Sequence, residues 1–191
     1  MKVPKTNEIA ALGMVNWEPM HGYRINQLVQ QIGLEHWTNL SQSSIYNTLG
    51  RLAKKGAVSV TTEREGKAPE RTVYHITEKG RELLREQLRA GLVYTGPEDR
   101  LFYVAACFMG ILPAEEILPL LEERIRKMGA HIDEESECAD GWNSLPHVAL
   151  MCRAGVRHFE VEIEFCRWLI DLFRERPNYF AEIGEKSDET S

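Results

Sequence analysis

The chain has 191 residues, 43% hydrophobic and 27% charged, with a formal net charge of −6. That length supports one core or two small ones, and no run approaches the roughly 18 apolar residues that span a bilayer, so no membrane partner is expected. The opening MKVPKTNEIAALGMVNW has no small-residue cleavage site, and Cys107, Cys138, Cys152 and Cys166 form no CxxC pair, so the expectation is reduced thiols in the cytoplasm rather than an exported disulfide scaffold.

Ile9, Leu12, Met14 and Val15 predict a short first helix closed by Trp17, Glu18 and Pro19. A second helix runs from Gly22 to Ile32, with Tyr23, Ile25, Leu28, Val29 and Ile32 near helical period and Gly33 as its stop. The connector LEHWTNL carries Trp37. Ser41 then caps a third helix whose buried stripe is Ile45, Leu49 and Leu52 and whose end is Lys54, Lys55 and Gly56. Alternation over residues 57–62 and 72–76 predicts two strands, and EREGKAPER between them makes a basic bend with Arg64, Lys67 and Arg71. Thr77 caps the next helix, through Leu83, Leu84 and Leu88, and turn formers gather from Gly91 to Pro97.

Beyond that stretch the pattern is helical: Glu98 to Met109, Pro113 to about His131, and Pro146 to about Glu175 with Pro177 as a stop. The last helix is apolar around more than one face, an excess that points to a partner. Phe159, Ile163, Cys166, Ile170 and Phe173 are its candidate dimerisation residues. The closing GEKSDETS is polar. The expected fold is mainly α with a small β-hairpin wing: a winged helix-turn-helix over residues 1–92, a helical dimerisation domain over 93–180 and a disordered tail over 181–191.

Charge divides along the same line. Residues 1–92 carry 13 basic and 9 acidic side chains, residues 93–191 carry 10 and 20. A cationic front and an acidic rear would orient the chain on a phosphate backbone, although solvated faces produce the same count.

EPMHGYRI at 18–25, LSQSSIYNTLGRLAKKGAV at 40–58 and ERTVYHITEKGRELL at 70–84, in that order and spacing, resemble the PadR family of bacterial transcriptional regulators. AGVRHFEVEIEFCRWLIDLF resembles, less specifically, the helical dimerisation domain of its longer members. The resemblance implies a homodimeric repressor of a palindromic operator in double-stranded DNA, with small-molecule control in some members; for this chain a small hydrophobic effector such as a phenolic acid or drug, a cyclic nucleotide, a redox signal through a cysteine and no ligand all stay open. This chain departs from the family at Gln42-Ser43, where a Pro-Gly pair is common, at Asn47, where proline is common, and at Glu70 in the wing. Those departures leave its operator sequence its own.

A recognition helix offers its first residues to base edges while hydroxyls, amides and cations hold phosphates. The candidates for DNA are Ser41, Ser43, Ser44, Asn47, Arg51 and Lys54 on the third helix, Arg64, Lys67 and Arg71 on the wing, and, following the family, Tyr23 and Tyr46 as phosphate ligands. Asn47 has the amide geometry for adenine. For the serines, local capping is the competing role. His21 is expected to make a structural hydrogen bond, and Tyr74 to be either core or contact, with core the expectation.

No GxSxG, P-loop or dinucleotide motif occurs, so no enzyme and no cofactor is expected. His131, Cys138, His147 and Cys152 sit on different elements at unhelpful spacings, and no metal is expected. A metal- or thiol-dependent enzyme and a winged helix that docks proteins instead of DNA are the alternatives. Trp17 and Trp168 are candidates for an apolar ligand site, with core packing as the competing role.

Overall fold

The computed structural model describes residues 3–34, 38, 40–64, 70–96, 100–142 and 144–180. Two compact units emerge, Met1–Ile111 and Leu112–Ser191. Among the described residues no helix is long and apolar enough to cross a membrane.

The first unit is built on α1 (Thr6–Trp17), whose Ile9, Ala10, Ala11, Leu12 and Met14 are all 0% exposed. Strand β1 (Met20–His21) leads into α2 (Gly22–Ile32), which ends at Gly33 in the left-handed region with φ of 68°. Helix α3 (Gln42–Lys54) turns Ile45, Leu49 and Leu52 inward and packs on α1. Strands β2 (Val58–Glu63) and β3 (Arg71–Ile76) pair antiparallel, from Val58 opposite Ile76 to Glu63 opposite Arg71. The two-residue β1 adds a third strand on the far edge of β3, a pairing too short to leave an alternation in the sequence.

Thr77 caps α4 (Glu78–Leu92), its side chain accepting from the Gly80 N–H. Helix α5 (Leu101–Phe108), followed by a 3-10 turn over Met109–Ile111, packs on α1 and α4. The first unit therefore extends to Ile111, beyond the division at 92 read from turn formers and charge. Leu101, Phe102, Val104, Ala105 and Phe108 are all buried, and a short helix so apolar needs walls on more than one side.

The second unit pairs α6 (Ala114–Gly141) with α7 (Pro146–Glu175) as an antiparallel hairpin. Residues facing across the seam follow three-four spacing: Ile117, Leu121, Arg124, Met128, His131, Glu135 and Cys138 on α6, and Ala149, Cys152, Val156, Phe159, Ile163, Cys166, Ile170 and Phe173 on α7. Helix α6 continues to Gly141, well past the expected end near His131, because its acidic last turns still present Glu135, Cys138 and Ala139 toward α7. The expected tail, residues 181–191, lies outside the described residues.

Among the described residues, each unit buries one ionic cluster. In the first, Glu8 accepts from Gln87 Nε2 at 2.8 Å and from Lys55 Nζ at 3.3 Å, tying α1 to α4 and to the end of α3. In the second, Arg124 and Glu162 pair across the seam with side chains 4% and 10% exposed. Removing one partner of such a buried pair strands the other charge. Arg124→Met is therefore expected to lower the unfolding free energy by about 3 to 5 kcal/mol, and Arg124→Met with Glu162→Met to restore most of it, both read by chemical denaturation.

Burial raises the Glu8 carboxyl, but the Gln87 and Lys55 hydrogen bonds outweigh it and hold the group below its ordinary 4.5. A depressed folded value stabilises the native state above 4.5, and this contribution is lost as pH falls through the folded value. Glu8→Gln is expected to unfold at lower urea than the parent near neutral pH, by about 1.5 to 3 kcal/mol. The gap should close as the pH is taken through the acid range below 4.5.

Candidate nucleic-acid interface

The start of α3 is organised by its serines. Ser41 Oγ accepts from the Ser44 N–H at 3.2 Å, while Ser44 Oγ accepts from the Ser41 N–H at 3.1 Å and donates to the Ser41 carbonyl at 2.7 Å. Ser43 Oγ lies 2.9 Å from Ser41 Oγ. This reciprocal box satisfies backbone groups that a helix start leaves unpaired. Ser41 and Ser44 thus serve the cap, whereas Ser43 stands on the exposed side.

Ser43, Asn47, Arg51 and Lys54 are all exposed and recur at i, i+4, i+8 and i+11, opposite the buried stripe. An amide near the helix start and two cations toward its end therefore share one outward face. Arg51 Nη2 donates to Thr48 Oγ1 at 2.9 Å, which steadies the guanidinium along the helix.

Tyr46 points the other way, toward β3 and the start of α2. Its ring centroid lies 6.5 Å from that of Tyr74. A Cβ built on Gly22 would sit 2.1 Å from the Tyr46 hydroxyl oxygen, so only glycine at the first position of α2 lets that hydroxyl reach the helix N-terminus. His21, Gly22, Tyr23, Tyr46, Arg71, Thr72 and Tyr74 line an open concavity of about 630 Å³. The N-terminal end of α2, the Tyr46 hydroxyl beside it, two further tyrosines and an arginine thus border one concavity, residue types suited to an anionic oxygen. Burial pushes the Tyr46 phenol above its usual 10, against a Gln42 hydrogen bond that lowers it, so it stays a neutral donor at physiological pH.

Tyr23 is 69% exposed, as a surface ligand must be. Arg64, just after β2, and Arg71, at the start of β3, are exposed at the same end of the hairpin; Lys67 lies outside the described residues, as does Trp37. His21 Nδ1 is buried without a hydrogen-bond partner among the described residues. Tyr74 is half-buried and lines the concavity rather than the core. Thr72 escapes the sequence reading and Tyr74 is assigned to the core by it, because strand alternation assigns faces and not distances to a helix.

On α7, Ile163, Cys166 and Ile170 are buried along the stripe that faces α6, and Phe159 and Phe173 are half-buried along it. Their apolar surface is thus used inside the chain. A second stripe, Met151, Ala154, His158, Val161, Phe165, Trp168 and Leu172, occupies the opposite side at the same three-four spacing; Met151, Val161 and Trp168 are 62–70% exposed. Trp17 is 49% exposed, its ring 5.0 Å from that of Phe108 in the first unit.

Glu135, Cys138 and Cys152 bring ligand atoms within 4.8 Å of one another. The hydrogen-bonded Cys138 thiol, burial and the nearby Glu135 carboxylate push Cys152 up to about 11. His131, grouped with these cysteines by sequence position, instead stacks on Phe159 with centroids 5.3 Å apart.

A capped helix, an antiparallel wing and a concavity lined by tyrosines and an arginine make up a winged-helix region of the DNA-binding kind. Residues 11–86, which span the helices and wing of this region, match the model of the Transcriptional regulator PadR-like family. Among solved structures, Bacillus subtilis PadR in complex with operator DNA is similar at 18% identity and a TM-score of 0.41, covering 88% of this chain and 99% of that one. The PadR-like transcriptional regulator BC1756 from Bacillus cereus is similar at 19% identity and a TM-score of 0.41, covering 89% and 97%. No curated protein sequence matches the chain.

Gly22→Ala is expected to expel the Tyr46 side chain from the concavity while leaving the helices intact. The Tyr46 phenol should then titrate closer to 10, followed by NMR or by difference absorbance, with an unchanged circular dichroism spectrum.

Proposed function

We propose that the chain acts in the cytoplasm as a homodimeric repressor of a palindromic operator, with α3 in the major groove and the wing on flanking backbone. The observation that carries this reading is the exposed stripe of Ser43, Asn47, Arg51 and Lys54 beside the concavity that holds Tyr46 and Arg71. Ser43 and Asn47, near the helix start, read base edges; Asn47 can pair both amide atoms with an adenine. Arg51 and Lys54 take phosphates further along, and Arg64, Lys67 and Arg71 take those beside the wing. Tyr46, Tyr23 and the α2 N-terminus clamp one more phosphate, fixing the register of α3. Ser41 and Ser44 contribute by holding the helix start in shape.

Two copies are needed for a palindrome, and the outward stripe of α7 supplies an apolar surface for the second. Burying Met151, Val161, Phe165 and Trp168 against the same residues of another copy removes large side chains from water at about 1.5 to 3 kcal/mol for each full burial. The twofold then sets two α3 helices about 34 to 36 Å apart, one turn of duplex. Release by a small apolar effector completes the proposal, with the exposed indoles Trp17 of the first unit and Trp168 of the second as separate candidate contacts.

Fragments selected from genomic DNA, followed by anisotropy titrations at several salt concentrations, test the reading. The logarithm of affinity should fall linearly with that of salt, by about 0.9 for each phosphate neutralised, and Arg51→Ala should reduce the slope by about that amount. Tyr46→Phe should weaken binding about five- to tenfold without altering the dimer, the loss of one phosphate hydrogen bond. Salt-independent association, or selection of no fragment, would falsify the DNA reading. A chain that sediments as a monomer while binding a palindrome at full affinity refutes the dimer.

A further inference from the structure

We propose that Glu135, Cys138 and Cys152 form a binding site for a thiophilic divalent cation, Zn2+ fitting best, which staples α6 to α7 beside the turn that joins them. Glu135 and Cys138, three residues apart, share one face of α6, and Cys152 reaches them from α7. The two sulfurs lie 2.9 Å apart, and all three ligand atoms fall within 4.8 Å of one another. Cys152 is only 8% exposed while Glu135 and Cys138 are half-buried, so the cluster is shielded on the α7 side and open on the other. Gly155, one turn beyond Cys152, lies alongside the carboxylate: a Cβ there would be in ordinary contact with Glu135 Cδ at 3.4 Å.

The donor set selects the ion. Two thiolates disfavour Mg2+ and Ca2+, which demand oxygen, and favour a borderline or soft metal; two sulfurs and one oxygen leave the fourth tetrahedral position of Zn2+ to water. Local charge adds to this, since HIDEESECADG at 131–141 has five acidic residues and no Lys or Arg. Binding replaces both thiol protons, so one cation enters as two protons leave and affinity rises with pH. The ion neutralises the negative charge gathered at the end of the hairpin and closes the loop between the helices, which is a stabilising constraint on the unit that carries the outward stripe of α7.

Reduced, metal-free full-length protein is titrated with Co2+ and then Zn2+. One equivalent of Co2+ is expected to raise thiolate-to-cobalt charge-transfer absorption in the near ultraviolet, and one equivalent of Zn2+ to remove it. Cys138→Ser and Cys152→Ser should each lose that band, Cys107→Ser should keep it, and Glu135→Gln should keep it with affinity lowered about tenfold or more. In the parent protein Zn2+ should also slow iodoacetamide alkylation at Cys138 and Cys152, read by peptide mass mapping, so the outcome does not depend on the variants folding. Absence of the band with unchanged alkylation overturns the proposal, as does a band that survives both serine variants. Formation of a Cys138–Cys152 disulfide by a hydroperoxide, in a protein that takes up no Co2+ when reduced, overturns it as well.

Discussion

Burial of α1 is the constraint on which the first unit depends. Its Ile9, Leu12 and Met14 have no exposed surface, and Ala10, Ala11 and Gly13 keep its other sides narrow, so that α3, α4 and α5 all close on it. A Cβ at Gly13 would fall 2.4 Å from the Phe108 ring, which shows how near α5 comes. Helix α3 presses Ile45, Leu49 and Leu52 inward, and by helical periodicity Ser43, Asn47, Arg51 and Lys54 must then stand outward. The rotational setting of the DNA-facing residues is therefore decided by core packing behind them. Glu8 sharpens it: the one charge buried on α1 holds Lys55 at the end of α3 and Gln87 on α4.

The second unit solves a different problem with a single long helix. Helix α7 carries two apolar stripes on opposite sides, one filled by α6 and one open. The Arg124–Glu162 pair lies in the filled seam, where a misregistered hairpin would strand two charges in an apolar environment. Such a pair contributes more to choosing one alignment than to net stability.

Much of this was legible residue by residue. The boundaries of α2, α3 and α7, the Ser41 and Thr77 caps and the wing strands follow from capping residues and periodicity that act over a few positions. Strand β1 was not, because two residues carry no period. The concavity at Gly22 was not, because glycine at a helix start has several uses and only the nearby Tyr46 hydroxyl reveals this one. The α7 residues read as a dimer face were chosen by apolarity, and apolarity does not say which of two stripes α6 covers.

The sequence by itself determined the kind of protein: local signals order the helix, turn, helix and wing, and a winged-helix class needs nothing more. It also determined that α7 is too apolar to stand alone, since side-chain chemistry is counted without coordinates. Tertiary structure alone decided which serines serve the cap, where Tyr46 points, which stripe of α7 is open, and that Glu135, Cys138 and Cys152 meet across two helices. Each of these is a distance between residues far apart in the chain or on facing elements. Such distances are set by close packing of the whole unit, which no window of neighbouring residues contains.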